Sequence, residues 1–146
     1  MPSALLLSDR IRIYYATRDE KGRSLTSFIE VARDDPARVL YTHDQPVMGL
    51  GKPGTHDEDG VMMGCIVADQ NALLLYYTGW SRGVTVPYRV SIGVAKSTDG
   101  GLHFERVFEG PVVDRTPLEP YMTMSPYVLR ENGLWRMWYG SGTGWV

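Results

Sequence analysis

Cysteine is almost absent from this 146-residue chain, and the single one, Cys65, excludes an internal disulfide framework and suits a reducing compartment. There is no apolar run of about 18 residues, so no spanning helix is expected. The N-terminal stretch Met1–Asp9 lacks a basic region and a long apolar segment of the secretory kind, and a cytoplasmic location is the expectation. Neither sign of charge dominates. A formal net charge of −2 gives no electrostatic reason to expect nucleic acid or an anionic membrane as partner. Only three histidines occur, none at ligand spacing, so neither a metal nor a cofactor is expected. Long helical periodicity is missing as well.

What is present is short strands and tight turns. Nine Tyr, four Trp, sixteen Gly and nine Pro suit a pleated, half-buried surface punctuated by reverse turns. Three segments say nearly the same thing: Arg10–Asp19 (RIRIYYATRD), Ala72–Ser81 (ALLLYYTGWS) and Leu134–Thr143 (LWRMWYGSGT). Their aromatic pairs begin at Tyr14, Tyr76 and Trp138, so both intervals are 62 residues. A fixed period of that size marks one supersecondary unit used repeatedly.

Inside each unit the apolar residues alternate with period two. Unit one predicts strands at Ala4–Leu7, Arg10–Tyr15, Leu25–Ala32 and Arg38–Tyr41. Unit two predicts Val61–Ala68, Leu73–Thr78, Tyr88–Lys96 and His103–Phe108. A third unit opens with Met122–Leu129 and Leu134–Tyr139. Four-stranded antiparallel units at this spacing are blades of a β-propeller, so the expected fold is all-β, about two and a half blades. Blade one covers about residues 2–48, blade two about 59–114 and the half blade about 121–146, in one domain. Such an arrangement leaves sheet faces bare, which predicts a homo-oligomer, a dimer being favoured. Trp135 and Trp138 would belong to that sticky surface. Tyr15, Tyr77 and Tyr139, equivalent by the period, are expected in the core between blades.

Ser97–Phe104 has the spacing S-x-D-x-G-x-x-aromatic and resembles the Asp-box hairpin of sialidases and other propellers, which makes Asp99 a turn cap. More broadly, Gly54–Val67, Leu73–Gly101 and Ser125–Trp145 resemble the five-bladed propeller glycosidases, a group that includes glycoside hydrolase families 32, 43, 62, 68 and 130. The likeness is strongest to a bacterial branch described as glycosyl hydrolase family 32-like, and a full member of it is about twice as long.

The resemblance implies a sugar held in the funnel at the propeller axis, with catalytic carboxylates on the innermost strands of successive blades. Two of them must flank the glycosidic bond. Asp59, at the entry to an innermost strand, is the leading catalytic candidate, and Glu119 the second. Asp57 lies beside Asp59 and is a candidate for substrate binding. The first-blade carboxylate has no counterpart here. The general-acid motif Glu-x-Pro reads Met124-Ser125-Pro126; Ser125 cannot act as a general acid at neutral pH and is a candidate for substrate binding instead. Glu109-Gly110-Pro111 reads instead as a blade-exit turn.

Trp80, Arg82 and Arg89 flank a loop longer than a hairpin needs, and suit ring stacking and the fixing of sugar hydroxyls, as substrate-binding candidates. Arg18 and Asp19 share the register of Trp80 and Ser81, which makes them substrate-binding candidates facing the same cavity. The expected activity is that of a carbohydrate-active module, weak or inactive as an isolated chain. The alternative is a non-catalytic, lectin-like sugar-binding or assembly protein.

Overall fold

A computed structural model describes residues 2–145 of the chain. Its ten strands fall in the expected four, four and two. Blade one comprises β1 (Ser3–Leu6), β2 (Arg10–Arg18), β3 (Ser24–Ala32) and β4 (Val39–Thr42). Blade two comprises β5 (Gly60–Asp69), β6 (Ala72–Arg82), β7 (Tyr88–Ser97) and β8 (Glu105–Arg106). The half blade is β9 (Met122–Glu131) paired with β10 (Leu134–Gly142). Within each blade, successive strands pair antiparallel. The two blades join through one parallel step, Ser24 opposite Gly60, where the Ser24 N–H donates to the Asp59 carbonyl at 3.1 Å. The fourth strand of blade two is shorter than expected. Its role passes to residues 112–113, which return to hydrogen-bond Ile92 on β7.

The main core lies between blades one and two. Tyr14 and Phe28 from one side meet Val61, Met63, Leu75, Tyr77 and Ala95 from the other, all essentially buried. This corrects the expected tyrosine triplet. Tyr77 is fully buried, Tyr15 is half-buried, and Tyr139 is 37% exposed. Adjacent residues of a strand face opposite sides, so Tyr14 and not Tyr15 fills blade one's share of the interface. A repeat position is buried only where a neighbouring blade covers that face.

The blades also grip each other through polar groups. The Arg12 Nη1 and the Tyr14 hydroxyl donate to the Gly100 and Gly101 carbonyls, both at 2.8 Å. Those glycines sit in the Asp-box turn with φ of 76° and 87°, where a side chain would be strained. Asp99 Oδ1 accepts from the Leu102 and His103 amides at 3.0 and 3.1 Å, and from the Ser97 hydroxyl at 2.7 Å. Burial works against the charged Asp99, but these donors outweigh it and hold its carboxyl well below the ordinary range. The Asp box is therefore a structural clasp.

Both complete inner strands of blade two and the half blade carry a bulge at period-equivalent places. On β5 it falls at Gly64, and on β9 at Ser125-Pro126, where Ser125 has φ 54°. Bulges bend the strand and re-aim its side chains. Here they also set the blade spacing, because a Cβ on Gly64 would lie 2.7 Å from Pro126 Cγ. The innermost strands β1, β5 and β9 line a trough of about 630 Å³ along the axis. Cys65 is buried beside it and accepts the Val128 N–H on its sulfur at 3.1 Å.

Candidate functional site

At the starting ends of β5 and β9 lies a separate cavity of about 440 Å³, within the range of about 300–1,000 Å³ usual for small-ligand sites. Met62 and Met124 contribute from the two inner strands, exactly one repeat period apart in sequence. Trp80 and Arg82 come from β6, Tyr88 and Val90 from β7, and Arg18 from the end of β2. The register explains the grouping: Gly60 opposes Trp80, Trp80 opposes Val90, and Arg82 opposes Tyr88. Residues 80 and 82 therefore share one face of β6.

Gly60 is what lets the indole settle there. A Cβ at that position would fall 1.7 Å from Trp80 Nε1. Trp80 is only 6% exposed, and its indole N–H has no acceptor among the described residues. The Arg18 guanidinium lies over the ring, 5.4 Å from a ring centroid. Such a cation–π contact is worth about 0.5–1 kcal/mol at an exposed site.

Asp59 stands at the rim. Its Oδ2 accepts the Arg82 amide at 2.8 Å, and its Oδ1 lies 3.5 Å from the Arg82 Nη1. Arg82 Nη2 also donates to the Lys21 carbonyl at 2.6 Å. Asp59 thus holds Arg82 in place from outside, and no carboxylate belongs to the cavity lining itself. Ser125 is exposed next to Met124, and its amide donates to the Thr78 hydroxyl at 2.8 Å.

Other residues singled out from the sequence are placed elsewhere. Asp57 is wholly buried. Its Oδ2 accepts from the Tyr77 hydroxyl at 2.9 Å and Arg106 Nε at 2.8 Å, and its Oδ1 from Thr55 at 3.0 Å. It ties blade two's outer strand to its core and has no oxygen free for a ligand, which corrects the expectation of substrate binding. Burial first, and the Asp57 charge second, push the Tyr77 hydroxyl well above its ordinary value of 10.

Asp19 caps the β2–β3 turn. It accepts from the Lys21 and Arg23 amides at 3.0 and 2.8 Å and pairs with the Arg23 side chain, so it too is a turn residue and not a cavity residue. Arg89 lies with Ser81 on the opposite face of the sheet from Trp80, in a depression of about 420 Å³ with His56, Ser91 and Asp114. Glu119 lies in the loop before β9, outside the cavity lining, and accepts the Tyr139 hydroxyl at 3.0 Å. Asp59 and Glu119 are therefore not brought together on one cavity wall.

Sequence reasoning missed Arg106 as Asp57's partner and Met62 with Met124 as the apolar lining. The methionine pair carried a signal in its 62-residue spacing. Arg106 sits in a fourth strand without period-two patterning and gave none.

The ten strands, their blade order and their shared axis define a partial propeller of the glycoside hydrolase kind. Residues 38–145 match the family described as Glycosyl hydrolases family 32 N-terminal domain, and the chain belongs to that family. Two curated relatives from Mycobacterium tuberculosis, the uncharacterized proteins MT1551 (strain CDC 1551 / Oshkosh) and Rv1502 (strain H37Rv), are each 39% identical over 137 residues. The match covers 94% of this chain and 46% of each relative, so the chain spans about half their length.

Among solved structures, a glycoside hydrolase superposes with a TM-score of 0.72 at 11% identity, covering 95% of this chain and 46% of that one. The Bombyx mori GH32 β-fructofuranosidase BmSUC1 gives 0.69 at 12% identity, covering 94% and 28%. Zg3597, a family 117 glycoside hydrolase from Zobellia galactanivorans, gives 0.58 at 20% identity, covering 95% and 42%. These likenesses bear on the fold.

Proposed function

We propose that this chain is a carbohydrate-binding propeller module that seats a sugar in the cavity between Arg18, Trp80 and Arg82 and does not, by itself, hydrolyse glycosidic bonds. The observation that carries the reading is the cavity's lining. It offers the small exposed part of Trp80, two planar donors and the Met62/Met124 floor at the starting ends of the inner strands. Glycoside hydrolysis asks for two carboxylates about 5–10 Å apart across the bond. Here the cavity has only Asp59 at its rim, already engaged by Arg82. Met124 stands where the general-acid motif would carry glutamate.

Self-association belongs to the same reading. Leu6 is 65% exposed on blade one, and Tyr127 and Trp138, paired across β9 and β10, are 53% and 52% exposed on the half blade. A second copy, in a dimer, would cover such surfaces. Light scattering tests that part, and a strictly monomeric folded protein would refute it.

For the sugar, a panel of arabinan, fructan and mannan fragments should change the tryptophan fluorescence without being consumed. Aryl glycosides turned over by the wild type and not by Asp59→Asn would overturn the non-catalytic reading. No response to any sugar would remove carbohydrate binding altogether.

A further inference from the structure

The two arginines of the cavity are not in the same electrostatic state. Arg82 is neutralised in part by Asp59 and spends one Nη on the Lys21 carbonyl. Arg18 has no acidic partner among the described residues. Its one protein hydrogen bond among them runs from Nη1 to the Gly22 carbonyl at 2.9 Å. The adjacent carboxylate, Asp19, is already taken by the Arg23 side chain and two turn amides. Arg18 also lines an adjoining depression of about 270 Å³, shared with Met62 and edged by Pro2, Tyr15, Thr17 and Ser24. A guanidinium without an acidic partner among the described residues thus lines two hollows that also share Met62. No carboxylate lines either of them.

We propose that this site selects a sugar bearing a carboxylate, a uronic acid residue, over its neutral counterpart. The inference rests on the cavity being the sugar site. A guanidinium presents its N–H groups as a flat fork that matches a carboxylate two bonds at a time, and charge-assisted bonds of that kind are about twice as strong as neutral ones. The apolar ring face packs on the two methionines and the exposed part of Trp80, while the acid group meets Arg18, which lines both hollows. A neutral sugar gains the packing without the ion pair. Arg82, held by Asp59, fixes ring hydroxyls and discriminates less between the two.

The test is calorimetric titration of the whole chain with trigalacturonate, its methyl ester and galactotriose. Acetate alone and a 6-sulfated galactose oligomer serve as further probes. Trigalacturonate should bind about tenfold more tightly than the ester, a margin matching one charge-assisted contact, and the margin should shrink as salt rises. Arg18→Gln should weaken both and abolish the margin, so that acid and ester bind this variant equally. Arg18→Lys should keep a salt-sensitive part of the preference. Circular dichroism confirms folding of both variants, as Arg18 is exposed at a strand end. Equal binding of acid and ester, a preference that survives Arg18→Gln, or equal binding of the sulfated sugar would overturn the carboxylate claim and leave sugar binding standing. Displacement by acetate at the same concentration would overturn it too, by showing that the anion alone is recognised. Failure of all three oligosaccharides would overturn the sugar reading itself.

Discussion

Asp57→Asn is the substitution that separates a structural carboxylate from a ligand-binding one. The Asp57 side chain is fully buried, and its main ionic partner, Arg106, is one-fifth exposed. Removing one member of a buried pair costs about 3–5 kcal/mol, because the other charge is left without compensation. The residual exposure of Arg106, and its second bond to the Gly49 carbonyl at 2.7 Å, place the expected loss near the lower end, about 3 kcal/mol. Asparagine also sets an NH₂ group against donors, since Tyr77, Arg106 and Thr55 all donate to this side chain. In urea, with a slope of about 1–3 kcal/mol/M, the unfolding midpoint should fall by on the order of 1–3 M. Sugar affinity of the protein that remains folded should stay at the wild-type value, because Asp57 does not line the Arg18–Trp80 cavity. A loss below about 1 kcal/mol accompanied by lost binding would refute this reasoning.

Gly60→Ala drives a methyl into the Trp80 indole and should cost about 1–3 kcal/mol while weakening sugar binding, read by urea unfolding and calorimetry. Asp99→Ala removes the acceptor of the Leu102 and His103 amides and should lower stability by about 1–2 kcal/mol without changing affinity. His56 gives a pH signature. Burial, helped by Arg106 and opposed by Asp57 and Asp114, holds its imidazole below the ordinary 6.5, so the unfolded chain takes up a proton first. Its contribution is complete above 6.5 and is lost as pH falls below that value. The thermal midpoint should therefore decline on acidification from neutrality, and His56→Gln should flatten that part of the profile.

The blade architecture was readable because strand alternation and turn chemistry repeat with one period. β2, β6 and β10 each carry the aromatic pair, and the turn at Glu131-Asn132-Gly133 places Asn132 and Gly133 at positive φ, as a tight hairpin requires. The period says which positions are equivalent, but not which are covered. That is why Tyr77 is buried and Tyr139 is not. The grouping of three side chains around one cavity was readable. Arg18, Trp80 and Arg82 converge because the register of β6 and β2 was implicit in the repeat. Arg89 was misgrouped with them, since loop proximity in sequence hides the change of sheet face between neighbouring residues. Asp57 was misread because its partner, Arg106, comes from an irregular outer strand with no pattern to announce it. Acidic residues near an inner strand look alike in sequence whether they face solvent or the core.

The indole N–H region of a two-dimensional NMR spectrum tests the central claim most directly, because the four tryptophans occupy different environments. Titrating a sugar ligand should shift the Trp80 signal, assigned by Trp80→Phe, while Trp135 and Trp138 on the half blade stay in place. Shifts confined to Trp135 and Trp138, or none at all, would contradict a sugar site at the mouth of the inner strands.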